Sequence, residues 1–200
     1  MKRTAFTLAA AALIATGSAI AQQSQPAQTT PNQPAPVIND RRDIQQDRIA
    51  NGVDSGQLTA GETKNLEGRQ ANLNREVRDD RAGDNGKLTG QERAQINRQQ
   101  NHLSRSIYAD KHNANSAHYG NNEVGQRREN QQDRIANGIR SGSMNAGQAA
   151  RDENREQGIN EQIHADRQGN GGRLTGQEKG QINRQQNRMS RTIYRQKHTR

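Results

Sequence analysis

The chain has 200 residues and a formal net charge of +9, with 28% hydrophobic, 2% aromatic and 26% charged residues. This composition excludes a large apolar core and leaves a largely disordered polar chain as the alternative to a folded one. The absence of cysteine excludes disulfide bonds and the acyl anchor of a bacterial lipoprotein.

The first segment has the pattern of a secretory signal peptide. Lys2 and Arg3 form a short basic start, an alanine-rich apolar run follows, and Ala19-Ile20-Ala21 is an A-x-A cleavage site. The apolar run is shorter than the ~20 residues that a membrane-spanning helix needs, which disfavours an uncleaved anchor. We therefore expect cleavage after Ala21 and a periplasmic or secreted mature protein without a transmembrane span.

A polar linker and a duplication make up the rest of the chain. Residues 22–39 are rich in Gln, Thr and Pro and hold all four prolines, which predicts a disordered linker. Residues 42–112 match residues 128–198 at a constant offset of 86, with 38 of the 71 aligned positions identical. The predicted organisation is two modules and the linker that joins them, at residues 40–112, 127–200 and 113–126.

The duplicated part predicts an all-α fold, because no proline follows Pro36 and signals for helix starts recur. Thr89 and Glu92 form a capping box before an amphipathic run, and Thr175 and Glu178 repeat it in the second copy. Each module is expected to contain three helices that are separated by glycine-containing loops. The predicted helices cover residues 41–50, 60–80, 90–111, 127–136, 146–166 and 176–197.

Each module also contains a fainter duplication with an offset of 30, so that four helix-loop-helix units share one plan. The four loops are centred on Gly56, Gly86, Gly142 and Gly172. This arrangement of helix, glycine-centred loop and helix resembles the EF-hand calcium motif. With Gly86 as the sixth loop position, the eighth is Leu88 and the twelfth is Glu92, as in an EF-hand.

The resemblance is degenerate at the metal ligands. Loop positions one, three and five, which supply oxygens in an EF-hand, are here Arg81, Gly83 and Asn85. The chain is therefore similar to a degenerate EF-hand-like repeat protein of the exported bacterial type, and the resemblance implies at most weak Ca²⁺ binding through a shifted set of ligands. The candidate ligands are Asp80, Asp84, Asn85 and Glu92 in the first module and Asp166, Asn170 and Glu178 in the second.

The last predicted helix carries one apolar face and one basic face. At about 100° per residue, Ile182, Met189 and Ile193 fall on a single stripe. Four arginines, at spacings of four, three and four, lie roughly opposite: Arg184, Arg188, Arg191 and Arg195. Such a stripe is typical either of a solvated face or of a surface that binds an anionic polymer. Export disfavours chromosomal DNA and favours an anionic envelope polymer or a protein as the partner.

No cluster of residues predicts an enzyme. Ser104 and Ser190 have no histidine and carboxylate in a recognisable catalytic setting. The sequence therefore predicts a non-enzymatic exported helical repeat protein that binds an envelope partner or a polyanion. Two alternatives remain, a largely disordered polar spacer protein and a weak calcium-binding EF-hand-like protein, and no cofactor is expected beyond weakly held Ca²⁺.

Overall fold

The computed structural model describes residues 38–198, which form six helices and no strand. The all-α prediction is thereby confirmed. In chain order the helices are α1 (Ile38–Asp54), α2 (Ala60–Gly83), α3 (Gly90–Lys111), α4 (Glu123–Arg140), α5 (Ala146–Gly169) and α6 (Gly176–His198). The predicted signal peptide, residues 1–21, and nearly all of the predicted linker, residues 22–39, lie outside the described part of the chain.

Helix starts follow from the capping residues. In α3, Thr89 N donates to Glu92 Oε2 at 2.7 Å while Glu92 N donates to Thr89 Oγ1 at 3.3 Å. This reciprocal pair satisfies two donors that have no partner inside the helix. Equivalent pairs begin three other helices, at Thr59–Glu62, Asn145–Gln148 and Thr175–Glu178.

The four loop glycines adopt left-handed backbone conformations. Their φ angles lie between 67° and 85°, a region that residues with a side chain rarely enter: Gly56, Gly86, Gly142 and Gly172. Glycine turns the chain there at little steric cost. Each loop thus ends one helix and starts the next within a few residues.

Helices α1 and α4 are longer than predicted. α1 spans Ile38–Asp54 rather than residues 41–50, and α4 begins at Glu123 rather than at residue 127. The earlier start of α4 follows from Asn122, whose Oδ1 accepts a hydrogen bond from Gly125 N at 3.0 Å. Residues 123–126 therefore belong to a helix, not to the linker predicted at 113–126.

Four helices pack together and two lie outside them. α1 packs against α4 and α2 against α5, whereas α3 contacts only α1 and α2, and α6 contacts only α4 and α5 within residues 38–198. All six helices belong to one compact unit. The surface between the two halves of the chain is therefore formed by α1, α2, α4 and α5.

The main apolar core draws side chains from both halves. Ile49 and Ile107 in the first half and Ile135, Ile182 and Ile193 in the second are fully buried in one cluster. Burying an isoleucine stabilises a fold by about 2 kcal/mol. Because one cluster spans both halves, each half completes the buried surface of the other.

Equivalent polar contacts recur at the offset of 86 residues. Gln45 Nε2 donates to the carbonyl oxygen of Gln100 at 2.7 Å, and Gln131 Nε2 donates to that of Gln186 at 2.7 Å. These bonds attach the first helix of each half to its third. None of the helices within residues 38–198 combines the length and the apolar character needed to cross a bilayer.

Candidate functional site

The last helix, α6, has the two faces that the sequence predicts. Ile182, Met189 and Ile193 are buried in the core, at 0%, 2% and 0% exposure. The four arginines on the opposite side are all exposed: Arg184, Arg188, Arg191 and Arg195. The arginines therefore form a continuous cationic strip on an outer helix, which we call the α6 basic face.

The charges of the α6 basic face are largely unneutralised. Among residues 38–198, no ion pair joins Arg184, Arg188 or Arg191 to a carboxylate. An exposed guanidinium without a carboxylate partner keeps its donors free for an external anion. The α6 basic face can therefore bind carboxylate, sulfate or phosphate groups without first breaking an ion pair at these three residues.

The corresponding face of α3 carries less positive charge. Arg98 and Arg105 occupy the positions of Arg184 and Arg191 and are exposed. His102 replaces the second arginine of the strip and Ala109 replaces the fourth. Because the outer helices share one fold but differ in charge, α3 is an internal comparison for α6.

An exposed aromatic residue lies at the C-terminal end of each outer helix. Tyr194 is 58% exposed and stacks on His198 with ring centroids 4.2 Å apart, and Tyr108 stacks on His112 at 4.1 Å. Each histidine Nδ1 lies 2.7 Å from the carbonyl oxygen of its tyrosine. In α6 this stack flanks the basic face and adds an aromatic surface to it.

The first set of candidate metal ligands, around the loop between α2 and α3, lies close together, but Glu92 also caps α3. Glu92 Oε2 accepts from Thr89 N, and this bond holds the pKa of the Glu92 carboxyl below its usual value. Partial desolvation, together with the nearby charges of Glu92 and other acids, raises the pKa of Asp80. The remaining candidates, Asp84 and Asn85, lie in the turn that follows α2. The loop therefore gathers negative charge, but Glu92 is already engaged by the cap of α3.

Among the second set of candidate metal ligands, the side-chain amide of Asn170 is hydrogen-bonded to Glu178 and to the backbone of Asp166. Asn170 Nδ2 donates to Glu178 Oε1 at 2.7 Å and to the carbonyl oxygen of Asp166 at 2.9 Å. A donor group therefore faces Glu178 where a cation would need an oxygen. Within residues 38–198, no group of three or more His, Cys, Asp or Glu side chains is placed so that it could hold a metal ion.

We expect Ca²⁺ to bind weakly, with a dissociation constant of ~1 mM or above, as in weak extracellular calcium modules. The physical reason is that Glu92 and Glu178 are already committed to their helix caps. Titration calorimetry measures this affinity directly. Micromolar binding that disappears in the Glu92→Ala, Glu178→Ala double variant would show instead that the caps open to form a real calcium site.

Sequence reasoning missed a buried carboxylate pair between α2 and α5. Glu67 and Glu153 occupy equivalent positions at the offset of 86 residues, and both are fully buried. Gln46 Nε2 donates to Glu67 Oε1 at 3.1 Å, and Gln132 Nε2 donates to Glu153 Oε2 at 3.1 Å. Burial raises the pKa of Glu67 to about 8, and that of Glu153 lies well above its usual value for the same reason.

A buried ion pair lies beside these carboxylates in the second half, and within residues 38–198 it has no counterpart in the first half. Arg128 Nε donates to Glu156 Oε1 at 2.6 Å, and both side chains are almost fully buried. The Arg128 guanidinium also lies 5.1 Å from the centre of the Tyr119 ring. The equivalent positions in the first half are Arg42 and Gln70, which form no such pair.

One signal in the sequence points to the buried carboxylates. Glu67 falls on the stripe of α2 that also carries Thr63, Leu66 and Gln70, and it is identical in the second module. A charged residue that shares a helix stripe with Leu66 and is kept in both copies indicates a buried role. The partners of such a residue cannot be read from the sequence, because they come from other helices.

Comparison with known proteins gives no relative. The chain matches no protein-family model, no curated protein and no solved structure. The site must therefore be interpreted from its own geometry.

Proposed function

We propose that this chain is a non-enzymatic, exported binding protein whose α6 basic face holds an anionic polymer of the cell envelope. The observation that carries the proposal is the exposed line of Arg184, Arg188, Arg191 and Arg195 along one outer helix. A linear polyanion can contact all four charges at once, and each contact releases bound counterions. The short basic start and the A-x-A site before residue 22 support export.

The proposed architecture is a tandem of two three-helix modules, each built from two EF-hand-like helix-loop-helix units. The equivalent bonds from Gln45 and from Gln131, 86 residues apart, support the tandem. The left-handed glycines at the centres of the loops support the helix-loop-helix plan. In this architecture the inner helices hold the modules together, and the outer helices remain open to a partner.

The test is retention on heparin or on immobilised lipopolysaccharide. We expect binding by the parent protein to weaken steeply with added salt. Replacing Arg184, Arg188, Arg191 and Arg195 by glutamine should lower the slope of log affinity against log salt by about 3 to 4, because roughly one counterion is released per neutralised charge. Helix content, measured by circular dichroism, should hardly change, because glutamine and arginine have similar helix propensities.

A charge-matched control separates the α6 basic face from the total charge of the protein. Four exposed cations away from the α6 basic face, two in loops and two in the first turns of α3 and α6, can be replaced by glutamine, and none of them is in an ion pair within residues 38–198: Lys87, Arg93, Arg173 and Lys179. This variant loses the same charge and should keep most of the parental affinity. Equal losses in the two variants would mean that only net charge matters, and unchanged retention of the α6 variant would refute the proposal.

A further inference from the structure

A second cationic feature lies in a groove between α2 and the start of α5. The groove has a volume of about 340 Å³, at the lower end of the range for small-ligand sites. Arg75 and Arg78 of α2 and Arg151 of α5 line it, and no acidic residue does. The groove is distinct from the α6 basic face, because it is formed by inner helices.

The charge in the groove lacks a counter-ion. Neither Arg75, Arg78 nor Arg151 forms an ion pair with a carboxylate in the described part of the chain. Asp152, next to Arg151 in sequence, is buried and accepts a hydrogen bond from Arg155. The first turn of α5 contains no acidic residue, so the positive end of the helix dipole adds to the potential of the arginines.

Hydrogen-bond donors of several kinds reach the groove. Gln70 Nε2 donates to Asn74 Oδ1 at 2.9 Å, which leaves the Nδ2 group of Asn74 available as a donor. Three guanidinium groups supply planar pairs of N–H donors, which match the oxygens of a phosphoryl group. The groove therefore combines donors and positive charge without a competing acceptor from a carboxylate.

The duplication supplies an internal comparison, because α5 and the start of α2 form an equivalent groove at the offset of 86. That groove differs at five lining positions, one of which is Thr59 in place of Asn145. In place of Ala71, Arg75, Arg78 and Arg151 it has Gln157, Glu161, His164 and Asn65. All three arginines are thus missing from the equivalent groove, and one of them is replaced by an acid.

The equivalent groove is also filled. Lys64 Nζ donates to Gln157 Oε1 at 2.9 Å, and Gln157 Nε2 donates to Glu161 Oε1 at 2.9 Å. Gln157 lies against Gly61 at the start of α2, whereas the small side chain of Ala71 lies near Gly147 at the start of α5. The two grooves have therefore diverged in both space and charge, and only the one lined by Arg75, Arg78 and Arg151 is open and cationic.

We propose that the groove between α2 and α5 is a binding site for a compact phosphoryl dianion, as carried by a small soluble phosphomonoester. The three arginines bind the phosphoryl oxygens, and Ala71 leaves the space that the group occupies. This site is independent of polymer binding by the α6 basic face, so either can fail without the other.

The site is tested by ³¹P NMR titrations of the purified protein with inorganic phosphate and with glycerol 3-phosphate at constant ionic strength. We expect saturable binding of both probes. Binding of glycerol 3-phosphate at least as tight as that of inorganic phosphate supports a phosphomonoester as the ligand, and clearly tighter binding of inorganic phosphate identifies the free ion instead. The Arg75→Gln, Arg78→Gln, Arg151→Gln variant should raise the dissociation constant at least about tenfold, the effect of losing one charge-assisted hydrogen bond.

Two further variants separate the groove from the overall charge. Ala71→Gln should abolish phosphate binding without any change in charge, because it introduces the side chain that fills the equivalent groove. A second variant removes an equal number of positive charges, three, from α6 through Arg184→Gln, Arg188→Gln and Arg191→Gln. It should leave phosphate binding unchanged. The proposal is overturned if the parent protein shows no saturable binding, if Ala71→Gln binds normally, or if the α6 variant loses as much affinity as the groove variant.

Discussion

The free energy of unfolding should fall as the pH is raised from about 5 to about 8, so that the protein is most stable in mildly acidic solution. The cause is the buried pair Glu67 and Glu153 between α2 and α5. Burial raises the pKa of Glu67 to about 8 and that of Glu153 well above the usual value. The folded protein therefore keeps protons that the unfolded chain releases.

The direction follows from proton binding in the two states. Below about pH 4.5 these carboxyls are protonated in both states and cause no loss of stability. Between about 4.5 and 8 the unfolded chain binds fewer protons, so stability falls by up to about 1.4 kcal/mol per pH unit for each group. For Glu67 alone the loss over this window amounts to several kcal/mol, a substantial part of the stability of a small domain.

The surroundings of the pair do not reverse this direction. Gln46 of α1 and Gln132 of α4 donate to the carboxyls, but desolvation outweighs these bonds. Glu67, Asp152 and Glu156 add negative charge near Glu153, which raises its pKa further. The buried cation Arg128 is bonded to Glu156.

The measurement is chemical or thermal unfolding at several pH values above 5, on the parent protein and on the Glu67→Gln, Glu153→Gln variant. Glutamine cannot ionise, so the variant should be less sensitive to pH and more stable than the parent at pH 8. Glu92→Gln is the control, because Glu92 is a capping residue whose pKa is lowered by its bond to Thr89 N. The Glu92→Gln variant should lose as much stability between pH 5 and pH 8 as the parent protein does. Rising stability up to pH 8, or an equal pH dependence in the double variant, would contradict the assignment.

Replacing Arg128 by methionine should destabilise the protein by about 3 to 5 kcal/mol, because it leaves Glu156 buried without its partner. Arg128 and Glu156 form the buried ion pair of the second half, at 2.6 Å. The loss should be greatest at alkaline pH, because at acidic pH Glu156 can take up a proton instead. Unfolding in urea at pH 6 and pH 8 measures both the size and the pH dependence of the effect.

The first half of the chain supplies the matched control. Arg42 stands at the position of Arg128, but it pairs with the exposed Asp43 at the surface. Arg42→Met should cost no more than about 1 kcal/mol, as is usual for exposed ion pairs. Adding Glu156→Gln to Arg128→Met reproduces the glutamine found at Gln70 and should restore much of the lost stability. If both arginine variants lose equal stability, the buried pair has no special role.

Much of the local structure could be predicted from the sequence. The capping box at Thr89–Glu92 and the spacing of Ile182, Met189 and Ile193 predict where helices begin and which face is buried, because both effects act within a few turns of one helix. The offset of 86 predicts that the helices recur. The bounds of α3 agree with the prediction, and those of α6 differ by one residue at its end.

The start of α4 could be predicted less well. It depends on the side chain of Asn122, which caps Gly125 N, within a polar stretch that contains two glycines. Such a stretch resembles a linker in composition. The sequence therefore placed the boundary four residues late.

What the sequence determined is the set of helices, their amphipathic faces and the exposed arginines of α6, because these depend on residues close to one another along the chain. Only the tertiary structure decided that α2 packs against α5 and α1 against α4. That packing buries Glu67 with Glu153, pairs Arg128 with Glu156, and brings Arg151 beside Arg75 and Arg78. The partners in these contacts lie up to 86 residues apart. The position of a charged side chain on a helix stripe can indicate that it is buried, but only the helices packed against it decide its partners, its pKa and its role.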